Sequence, residues 1–267
     1  MDKTIILFDM DGTLTEPRKQ FNSKEIQQSF YQLINKEVEI GIITGSDEDY
    51  LREQMGSFLS DSSCRYKMHL MPCNGTKYLK PPNKSKDDYK LIHEVSMEKH
   101  LGHNKYRELI HELIYSQVDM ANSGVPLSGH FINCRGTMIN WCPIGRNASA
   151  KQREDFIRID AQDNLRSRVI KELRAMLRLK NLEDKITIKI GGDTSFDIYT
   201  SGWDKTYGLR HFKGWDVWFI GDRCDPDGND YELYQACNGR SYVSSGPKNT
   251  NEIITCIMKR LGEYNES

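Results

Sequence analysis

The sequence lacks several features that define whole classes of protein. No apolar run approaches the roughly 20 residues that a helix needs to span a bilayer, so we expect no membrane partner. The first apolar stretch, Thr4–Phe8, is too short for the core of a signal peptide and ends in acids. Neither sign of charge is in excess, because 37 Lys and Arg face 38 Asp and Glu. This balance gives no basis for binding nucleic acid.

Cysteine pairs at metal-binding or redox spacing are absent as well. The chain has seven cysteines, an odd number, and no two of them show the C-x-x-C spacing. We therefore predict reduced thiols in a cytoplasmic protein. A chain of 267 residues with 37% hydrophobic residues can bury a substantial core. The disordered, fibrous and disulfide-scaffold classes are excluded.

Alternating strand and helix patterns organise the N-terminal part of the chain. Thr4–Phe8 is a continuous β-rich apolar run, as in buried parallel strands. Asn22 and Glu25 predict the capped start of a helix, in which apolar residues then recur at helical spacing. Further strands are predicted at 38–43 and 67–72, with a helix between them. This order predicts a doubly wound α/β unit.

The pattern changes at a loop rich in proline and lysine, residues 80–86. The segment that follows combines long amphipathic helices with paired strands, which indicates an inserted α+β domain. After Gly202 the first alternation returns. The predicted fold is therefore α/β. It has a doubly wound parallel-sheet core formed by residues 1–82 and 202–267, and an inserted α+β domain at 83–201.

Two aspartates come directly after the first predicted strand, in the segment Asp9-Met10-Asp11-Gly12-Thr13. Side chains two apart in an extended chain point the same way, so Asp9 and Asp11 are predicted to converge where open α/β sheets bind ligands. Carboxylates this close repel unless a cation lies between them, and oxygen ligands suit Mg²⁺. One carboxylate can attack phosphorus while the other handles the proton. The alternative is a turn in which these residues serve only geometry.

A third aspartate and two hydroxyls follow other predicted strands. Asp222 follows the apolar run at 216–220 and is predicted to reach the same sheet edge as a third Mg²⁺ ligand. Thr44 and Ser46 follow the second strand, beside a helix N-terminus that favours phosphate. The competing interpretation is a plain helix cap at Ser46 or Asp47, and both can hold.

The inserted segment carries polar side chains at turns and strand ends. Guanidinium groups bind phosphate bidentately, while serine and aspartate suit sugar hydroxyls and phosphate edges. Any single arginine there is also compatible with a surface role. The candidate substrate-binding residues of this segment are Arg135, Arg146, Arg153, Gly192, Ser195 and Asp197. By contrast, we interpret the basic helix face that begins at Arg166 as solvated surface.

Taken together, these segments resemble the eukaryotic phosphomannomutases of the haloacid dehalogenase (HAD) superfamily. The aspartate motif alone indicates only the superfamily, whereas the segments of the inserted domain indicate the mutase. The resemblance implies a HAD-like core with an α+β cap. It also implies interconversion of mannose 6-phosphate and mannose 1-phosphate for GDP-mannose synthesis. The most specific segments are Phe8–Thr15, Pro17-Arg18, Pro143–Arg146, Gly191–Asp197 and Gly202–Lys205.

The same resemblance implies roles for individual residues. Asp9 carries the phosphoryl group, Asp11 is the acid/base toward the sugar oxygen, and Lys205 neutralises charge on the phosphoryl group. Mg²⁺ is held by Asp9, the Asp11 carbonyl and Asp222, and a hexose 1,6-bisphosphate is the intermediate and activator. Arg18, together with the residues of the inserted segment named above, binds the substrate. Glucose phosphates are further expected substrates, and a homodimer through the cap is the expected assembly.

The runner-up hypothesis is a sugar-phosphate phosphatase on the same fold, in which Asp11 activates water. Thr44 favours this hypothesis slightly, because it matches the hydroxyl position of the broader superfamily. Arg146, Ser195 and Asp197 argue for the mutase, since a bisphosphate must be held at its far end. A third hypothesis is a sugar-phosphate-binding protein without catalysis, which the intact aspartate set makes the weakest of the three.

Overall fold

The chain divides into two compact units. The computed structural model describes residues 3–265, with side chains for residues 3–262. One unit, the core unit, consists of Met1–Glu94 and Asp204–Ser267, and the other, the cap unit, consists of Val95–Trp203. The few terminal residues of the predicted core outside 3–265 lie beyond the described residues.

The strands are short and mostly apolar. In chain order they are β1 (Thr4–Phe8), β2 (Glu39–Ile43), β3 (Met68–Met71), β4 (Lys77–Lys80), β5 (Lys90–Glu94), β6 (Ile132–Cys134), β7 (Met138–Trp141), β8 (Ile186–Gly191), β9 (Ser195–Thr200), β10 (Asp216–Gly221) and β11 (Ser241–Val243). Within the described residues, the core unit has a seven-stranded sheet in the order β11-β10-β1-β2-β3-β4-β5. The strands from β11 to β3 are parallel to one another, β4 is antiparallel to β3, and β5 is antiparallel to β4.

Helices cover both faces of the core sheet. The α-helices are α1 (Lys24–Asn35), α2 (Glu48–Met55), α3 (Ser57–Asp61), α4 (Met97–Leu101), α5 (His103–Asn122), α6 (Ala150–Asp163), α7 (Leu165–Leu179), α8 (Tyr231–Ala236) and α9 (Pro247–Asn265). Short 3₁₀ helices span Ser63–Lys67, Cys73–Gly75, Glu183–Lys185 and Lys205–Phe212. No helix within residues 3–265 has the length and apolarity needed to cross a membrane.

The alternation of β1 separates the two cores of this sheet. Ile6 and Phe8 belong to a cluster that includes apolar residues of α1, α2 and α9. Ile5 and Leu7 belong to a second cluster, with apolar residues of α8 and the 205–212 helix. Because successive side chains of a strand point to opposite faces, one short apolar run contributes to both cores. The core is thus a doubly wound α/β layer structure, as predicted.

The cap unit is built on an antiparallel sheet. Its strand order is β6-β7-β9-β8, and each neighbouring pair is antiparallel. Trp141 of β7 stacks on Phe196 of β9 with ring centroids 4.8 Å apart, and both side chains are fully buried. Helices α4–α7 belong to the same unit. The unit therefore has the α+β composition expected of the inserted segment.

The structure differs from the sequence analysis at three points of detail. Residues 83–94 fall in the core unit rather than the inserted one, because β5 pairs with β4 at the edge of the core sheet, and residues 202–203 fall in the cap unit rather than the core. These two strands were not predicted. The cap of α1 is Ser23, whose Oγ accepts a hydrogen bond from the Ile26 N–H, and not Asn22. All seven cysteines are free thiols, as expected for a chain without disulfides.

Candidate active site

A buried lysine joins two aspartates at the carboxyl edge of the core sheet. Asp9 follows β1 and Asp222 follows β10, and these strands are parallel neighbours, so both side chains reach the same edge. The Lys205 Nζ lies 2.5 Å from Asp9 Oδ1 and 2.5 Å from Asp230 Oδ1. Lys205 is fully buried and Asp9 nearly so. The predicted grouping of Asp9, Asp222 and Lys205 is therefore present.

Carboxylates outnumber cations in this cluster. Asp9, Asp222 and Asp230 each offer an oxygen, and the three oxygens lie within 4.8 Å of one another. The Oδ1 of Asp222 is buried and has no hydrogen-bond partner within the described residues. An unsatisfied carboxylate oxygen among like charges is the arrangement that a divalent cation stabilises, and oxygen donors suit Mg²⁺. The site therefore fits the metal that the sequence implied.

The pKa values of the cluster reflect burial and charge crowding. Burial raises the pKa of Asp9 well above its usual value; Lys205 opposes this shift, while Asp230 and Asp222 add to it. Burial and the charge of Asp230 likewise raise the pKa of Asp222. Burial alone lowers the pKa of Lys205, but Asp230 and Asp9 outweigh it and raise that pKa. Lys205 therefore remains an ammonium group that faces two carboxylates.

Glycine keeps the space beside Asp222 open. Gly12 has a left-handed backbone with φ of 86°, and a Cβ placed there would collide with the Asp222 carboxylate. A side chain at this position would thus be strained and would also displace one of the candidate metal ligands. The Gly12 that follows the paired aspartates is required by the site itself.

Asp230 belongs to the candidate site, although the sequence analysis did not predict it there. Its Oδ1 accepts from Lys205, and its Oδ2 accepts from the Arg223 N–H at 3.1 Å. Both oxygens are thus used by protein donors, which assigns Asp230 to holding Lys205. Its sequence signal was position alone: Asp230 precedes α8 in the loop that Asp222 begins.

Asp11 lies outside the carboxylate cluster and has its own partners. Its Oδ1 accepts from the Arg18 N–H and from the Tyr50 hydroxyl, each at 2.9 Å. The side chain of Arg18 is exposed, so the contact with Asp11 is made by the backbone. The expectation that the Asp9 and Asp11 side chains converge on one cation is therefore not reflected in the cluster, which has Asp230 as its third carboxylate.

Thr44 and Ser46 form the turn between β2 and α2. The Oγ1 of Thr44 is buried and accepts from the Ser46 N–H at 3.1 Å. Asp47 caps α2, because its Oδ1 accepts from the Tyr50 N–H at 3.0 Å. Of the two residues considered as a plain cap, the structure thus selects Asp47.

In the cap unit, Arg146 and Asp197 are linked through Asn140. The Arg146 Nη1 donates to Asn140 Oδ1 at 3.0 Å, and Asn140 Nδ2 donates to Asp197 Oδ1 at 2.9 Å. A Cβ at Gly191 would lie 2.7 Å from the Asp197 carboxylate, so glycine makes room for it. The strand pairing of β7 with β9 brings Asn140 opposite Asp197. Asn140 and Asp197 thus lie on neighbouring strands, and Arg146 contacts Asn140 from the segment between β7 and α6.

The other predicted cap residues lie at or contact two turns, one between β8 and β9 and one between β6 and β7. Arg153 Nη1 donates to the Thr194 hydroxyl at 2.8 Å, next to buried Ser195. Arg166 was interpreted as solvated surface, and this is wrong. It pairs with Asp160 at 2.7 Å and donates to the Gly192 carbonyl at 2.9 Å. Arg135 is half-buried at the turn between β6 and β7, where its N–H donates to the Met138 carbonyl.

Comparison with known proteins decides the family. A family model described as eukaryotic phosphomannomutase matches residues 27–260. The chain is 35% identical over 255 residues to the phosphomannomutase of Dendrobium officinale, an alignment that covers 94% of this chain and 93% of that protein. The chain belongs to the eukaryotic phosphomannomutase family. The resemblance inferred from the sequence is confirmed, and the mutase is favoured over the phosphatase.

Solved structures agree with the HAD fold of the phosphomannomutase family. The IMP-nucleotidase of Plasmodium falciparum aligns with a TM-score of 0.66 at 13% identity, covering 97% of this chain and 68% of that one. The trehalose-6-phosphate phosphatase of Aspergillus fumigatus aligns with a TM-score of 0.52 at 15% identity, covering 96% and 92%. At such identities the likeness concerns the fold alone. The predicted fold class is confirmed.

Proposed function

We propose that this enzyme interconverts mannose 6-phosphate and mannose 1-phosphate through a phospho-aspartate on Asp9 and a hexose 1,6-bisphosphate. The observation that carries the proposal is the buried contact of Lys205 with Asp9 at the sheet edge, in a chain of the phosphomannomutase family. Burial beside two other carboxylates is costly for a carboxylate, whereas a nucleophile benefits from a site that excludes water and compensates its charge. Glucose phosphates are proposed as further substrates.

Asp9 is proposed to attack one phosphorus of a hexose 1,6-bisphosphate. The Asp9 oxygen forms a bond to phosphorus, and the bond from phosphorus to the sugar oxygen breaks. The Lys205 ammonium lies against Asp9 and offsets the negative charge of the transferring group. Asp230 holds Lys205 in this position through their shared hydrogen bond. In the reverse transfer, phospho-Asp9 passes its phosphoryl group to the free hydroxyl of a hexose monophosphate, which gives the 1,6-bisphosphate and restores the Asp9 carboxylate.

The metal is proposed to be Mg²⁺, held by Asp9, Asp222 and the Asp11 carbonyl. Its support is the unsatisfied, buried Oδ1 of Asp222 in a cluster of three carboxylates. Bound there, Mg²⁺ would supply positive charge that stabilises the phosphoryl oxygens. A hexose 1,6-bisphosphate is proposed as the activator, because it can charge Asp9 with its first phosphoryl group.

Asp11 is proposed to give its proton to the leaving sugar oxygen and to take a proton from the attacking hydroxyl. The hydroxyls of Thr44 and Ser46 and the side chain of Arg18 are proposed to bind the substrate in the core unit. The far phosphate and the sugar hydroxyls are proposed to bind Arg135, Arg146, Arg153, Gly192, Ser195 and Asp197. Support comes from the fixed Arg146–Asn140–Asp197 chain, which pre-positions a cation beside polar acceptors.

The cytoplasm and a homodimer are proposed as the setting of the reaction, with GDP-mannose synthesis as its use. Free thiols at all seven cysteines support a reducing compartment. A strip of exposed apolar side chains on α5 supports association through the cap unit. These are Ile114, Tyr115 and Val118, with 53%, 57% and 54% of their surface exposed.

Trapping the phosphoenzyme tests the proposed chemistry. The protein is mixed with Mg²⁺ and a radiolabelled hexose 1,6-bisphosphate, quenched in acid and digested. We expect label on the peptide that contains Asp9, in a linkage that hydroxylamine cleaves, and no label on Asp9→Asn. Label on a serine or threonine peptide, or equal labelling of Asp9→Asn, would contradict the phospho-aspartate.

A further inference from the structure

Tyr50, in the first turn of α2, makes a hydrogen bond to Asp11, the proposed acid/base residue. Tyr50 Oη donates to Asp11 Oδ1 at 2.9 Å, across 39 residues of sequence. The Arg18 N–H donates to the same oxygen at 2.9 Å. The described residues provide no donor to the other oxygen, Oδ2. The carboxyl group is therefore held from one side only.

Tyr50 is itself fixed at both ends. Its N–H donates to the Asp47 side chain that caps α2, and its ring packs against the larger core cluster of the core unit. A tyrosine anchored in this way has little freedom to withdraw its hydroxyl, because the ring moves only with the helix and the core. The hydroxyl is thus a preset donor, which costs little ordering when the substrate binds.

Two donors on one oxygen determine which oxygen can exchange a proton. If Oδ1 were protonated, its hydrogen would face the hydrogens of the Arg18 N–H and the Tyr50 hydroxyl. An unprotonated, carbonyl-like Oδ1 instead accepts a hydrogen bond from each of these two donors. The arrangement therefore suits the neutral carboxyl as well as the carboxylate, provided that the proton is on Oδ2. It fixes the orientation of the carboxyl group through both halves of the reaction.

We propose that Tyr50 is a positioning residue that, with the Arg18 backbone, aims Asp11 Oδ2 at the sugar oxygen. This inference rests on the proposed acid/base role of Asp11. In the forward transfer, the bond from Asp9 to phosphorus forms and the bond from phosphorus to the sugar oxygen breaks. The proton of Asp11 Oδ2 passes to that sugar oxygen, which leaves as a hydroxyl. In the reverse transfer the Oδ2 carboxylate takes the proton back.

Leaving groups of different basicity distinguish aiming from folding. A sugar alkoxide is strongly basic and needs the proton, whereas p-nitrophenolate leaves without one. We measure single-turnover release of hexose monophosphate from a hexose 1,6-bisphosphate and of p-nitrophenolate from p-nitrophenyl phosphate, for the wild type, Tyr50→Phe and Asp11→Asn. Tyr31→Phe is the matched control, since it removes a hydroxyl that bonds to Ser62 in the same unit. Steady-state kcat and KM with mannose 1-phosphate are measured alongside.

For Tyr50→Phe we expect kcat with mannose 1-phosphate to fall about tenfold, because small misplacements of a catalytic group cost up to about 100-fold. The KM and the rate of p-nitrophenolate release should remain within about twofold of the wild-type values. Tyr31→Phe should remain within about twofold of the wild type with both substrates. Asp11→Asn should lose about 100- to 10,000-fold on the sugar substrate alone.

The outcomes separate this inference from the function on which it rests. Equal losses on both substrates in Tyr50→Phe, or none on either, would overturn the positioning role. If the positioning role fails but Asp11→Asn still slows the reaction of the sugar substrate and not that of p-nitrophenyl phosphate, the acid/base role of Asp11 stands. An Asp11→Asn variant without discrimination would overturn both.

Discussion

At the scale of single residues, the site is governed by the balance of charge around Lys205. One ammonium group faces Asp9 and Asp230, and Asp222 adds a third carboxylate within 4.8 Å. Burying these carboxylates without enough positive charge is costly, because each unpaired charge loses its hydration. The buried, unsatisfied Asp222 Oδ1 marks where compensation is missing from the protein alone.

Asp222 is therefore expected to govern metal affinity. Asp222→Asn should weaken Mg²⁺ binding by at least about tenfold, since loss of even an outer partner of a metal ligand costs about 10- to 100-fold. The measurement is the rise of the melting temperature with Mg²⁺ concentration, which reports binding without turnover. Asp227→Asn removes the same charge from an exposed position of the same loop and is the control. An unchanged Mg²⁺ response in Asp222→Asn would contradict the assigned site.

Residues that follow unmistakable strands could be predicted, and residues that depend on tertiary contacts could not. Asp9 and Asp222 each end a buried apolar strand, so their shared edge follows from topology. Asp230 has no such signal, because other acids surround it in the loop. Arg166 meets Asp160 only because a left-handed Asn164, with φ of 49°, breaks the helix between them. No proline or glycine marks that break.

At the scale of elements, the core strands differ in how strongly their sequences identify them. β1 and β2 are almost entirely buried and are mostly apolar in sequence, although β2 begins with Glu39, whereas most of β5 is exposed. An edge strand with lysine and glutamate at its ends carries little hydrophobic pattern. The sequence of β5 therefore does not predict its pairing with β4, which depends on the place of β5 in the folded chain. This is why the predicted domain boundary fell before β5.

A buried polar network connects β2, β3 and β4. The Glu39 carboxylate accepts from His69 at 2.6 Å, and the other ring nitrogen of His69 lies 2.8 Å from the Tyr78 hydroxyl. Burial raises the pKa of Glu39, but the His69 hydrogen bond, the His69 charge and Lys67 outweigh it and lower that pKa. Burial and the Glu39 charge raise the pKa of Tyr78 to about 12, so its proton is retained.

The lowered pKa of Glu39 predicts a pH-dependent stability. The ionised form is favoured in the folded state, so its contribution is present above the ordinary pKa of 4.5 and is lost as the pH falls through the lower folded value. Glu39→Gln should cost about 1–2 kcal/mol of unfolding free energy at pH 7 and little in strong acid. Denaturant unfolding from pH 7 to strong acid measures this difference in unfolding free energy, and Glu37→Gln, at an exposed position, is the control. A pH-independent difference would contradict the network.

At the scale of the whole molecule, the two units carry complementary chemistry. The core unit holds the carboxylate cluster and Lys205, and the cap unit holds the Arg146–Asn140–Asp197 chain. A mutase must retain a bisphosphate between its two transfers, which is the role proposed above for the polar residues of the cap unit. The sequence predicted this division, because the strand and helix patterns of the two segments differ.

The exposed strip on α5 predicts the assembly. Val118→Glu should convert a dimer to a monomer, since a charge at the centre of an apolar interface is left unpaired. Light scattering after size exclusion gives the mass. Leu179→Glu, at an exposed apolar position on α7, should leave the dimer intact. A wild-type monomer, or dissociation only in Leu179→Glu, would contradict the proposed interface.

The most direct test of the proposed function is a phosphorus NMR time course. The full chain, Mg²⁺ and a catalytic trace of hexose 1,6-bisphosphate are mixed with mannose 1-phosphate, and the phosphorus signals are followed together. The account predicts growth of mannose 6-phosphate toward equilibrium with little inorganic phosphate, and no conversion by Asp9→Asn. Release of inorganic phosphate at a rate comparable with conversion would identify a phosphatase and contradict the account.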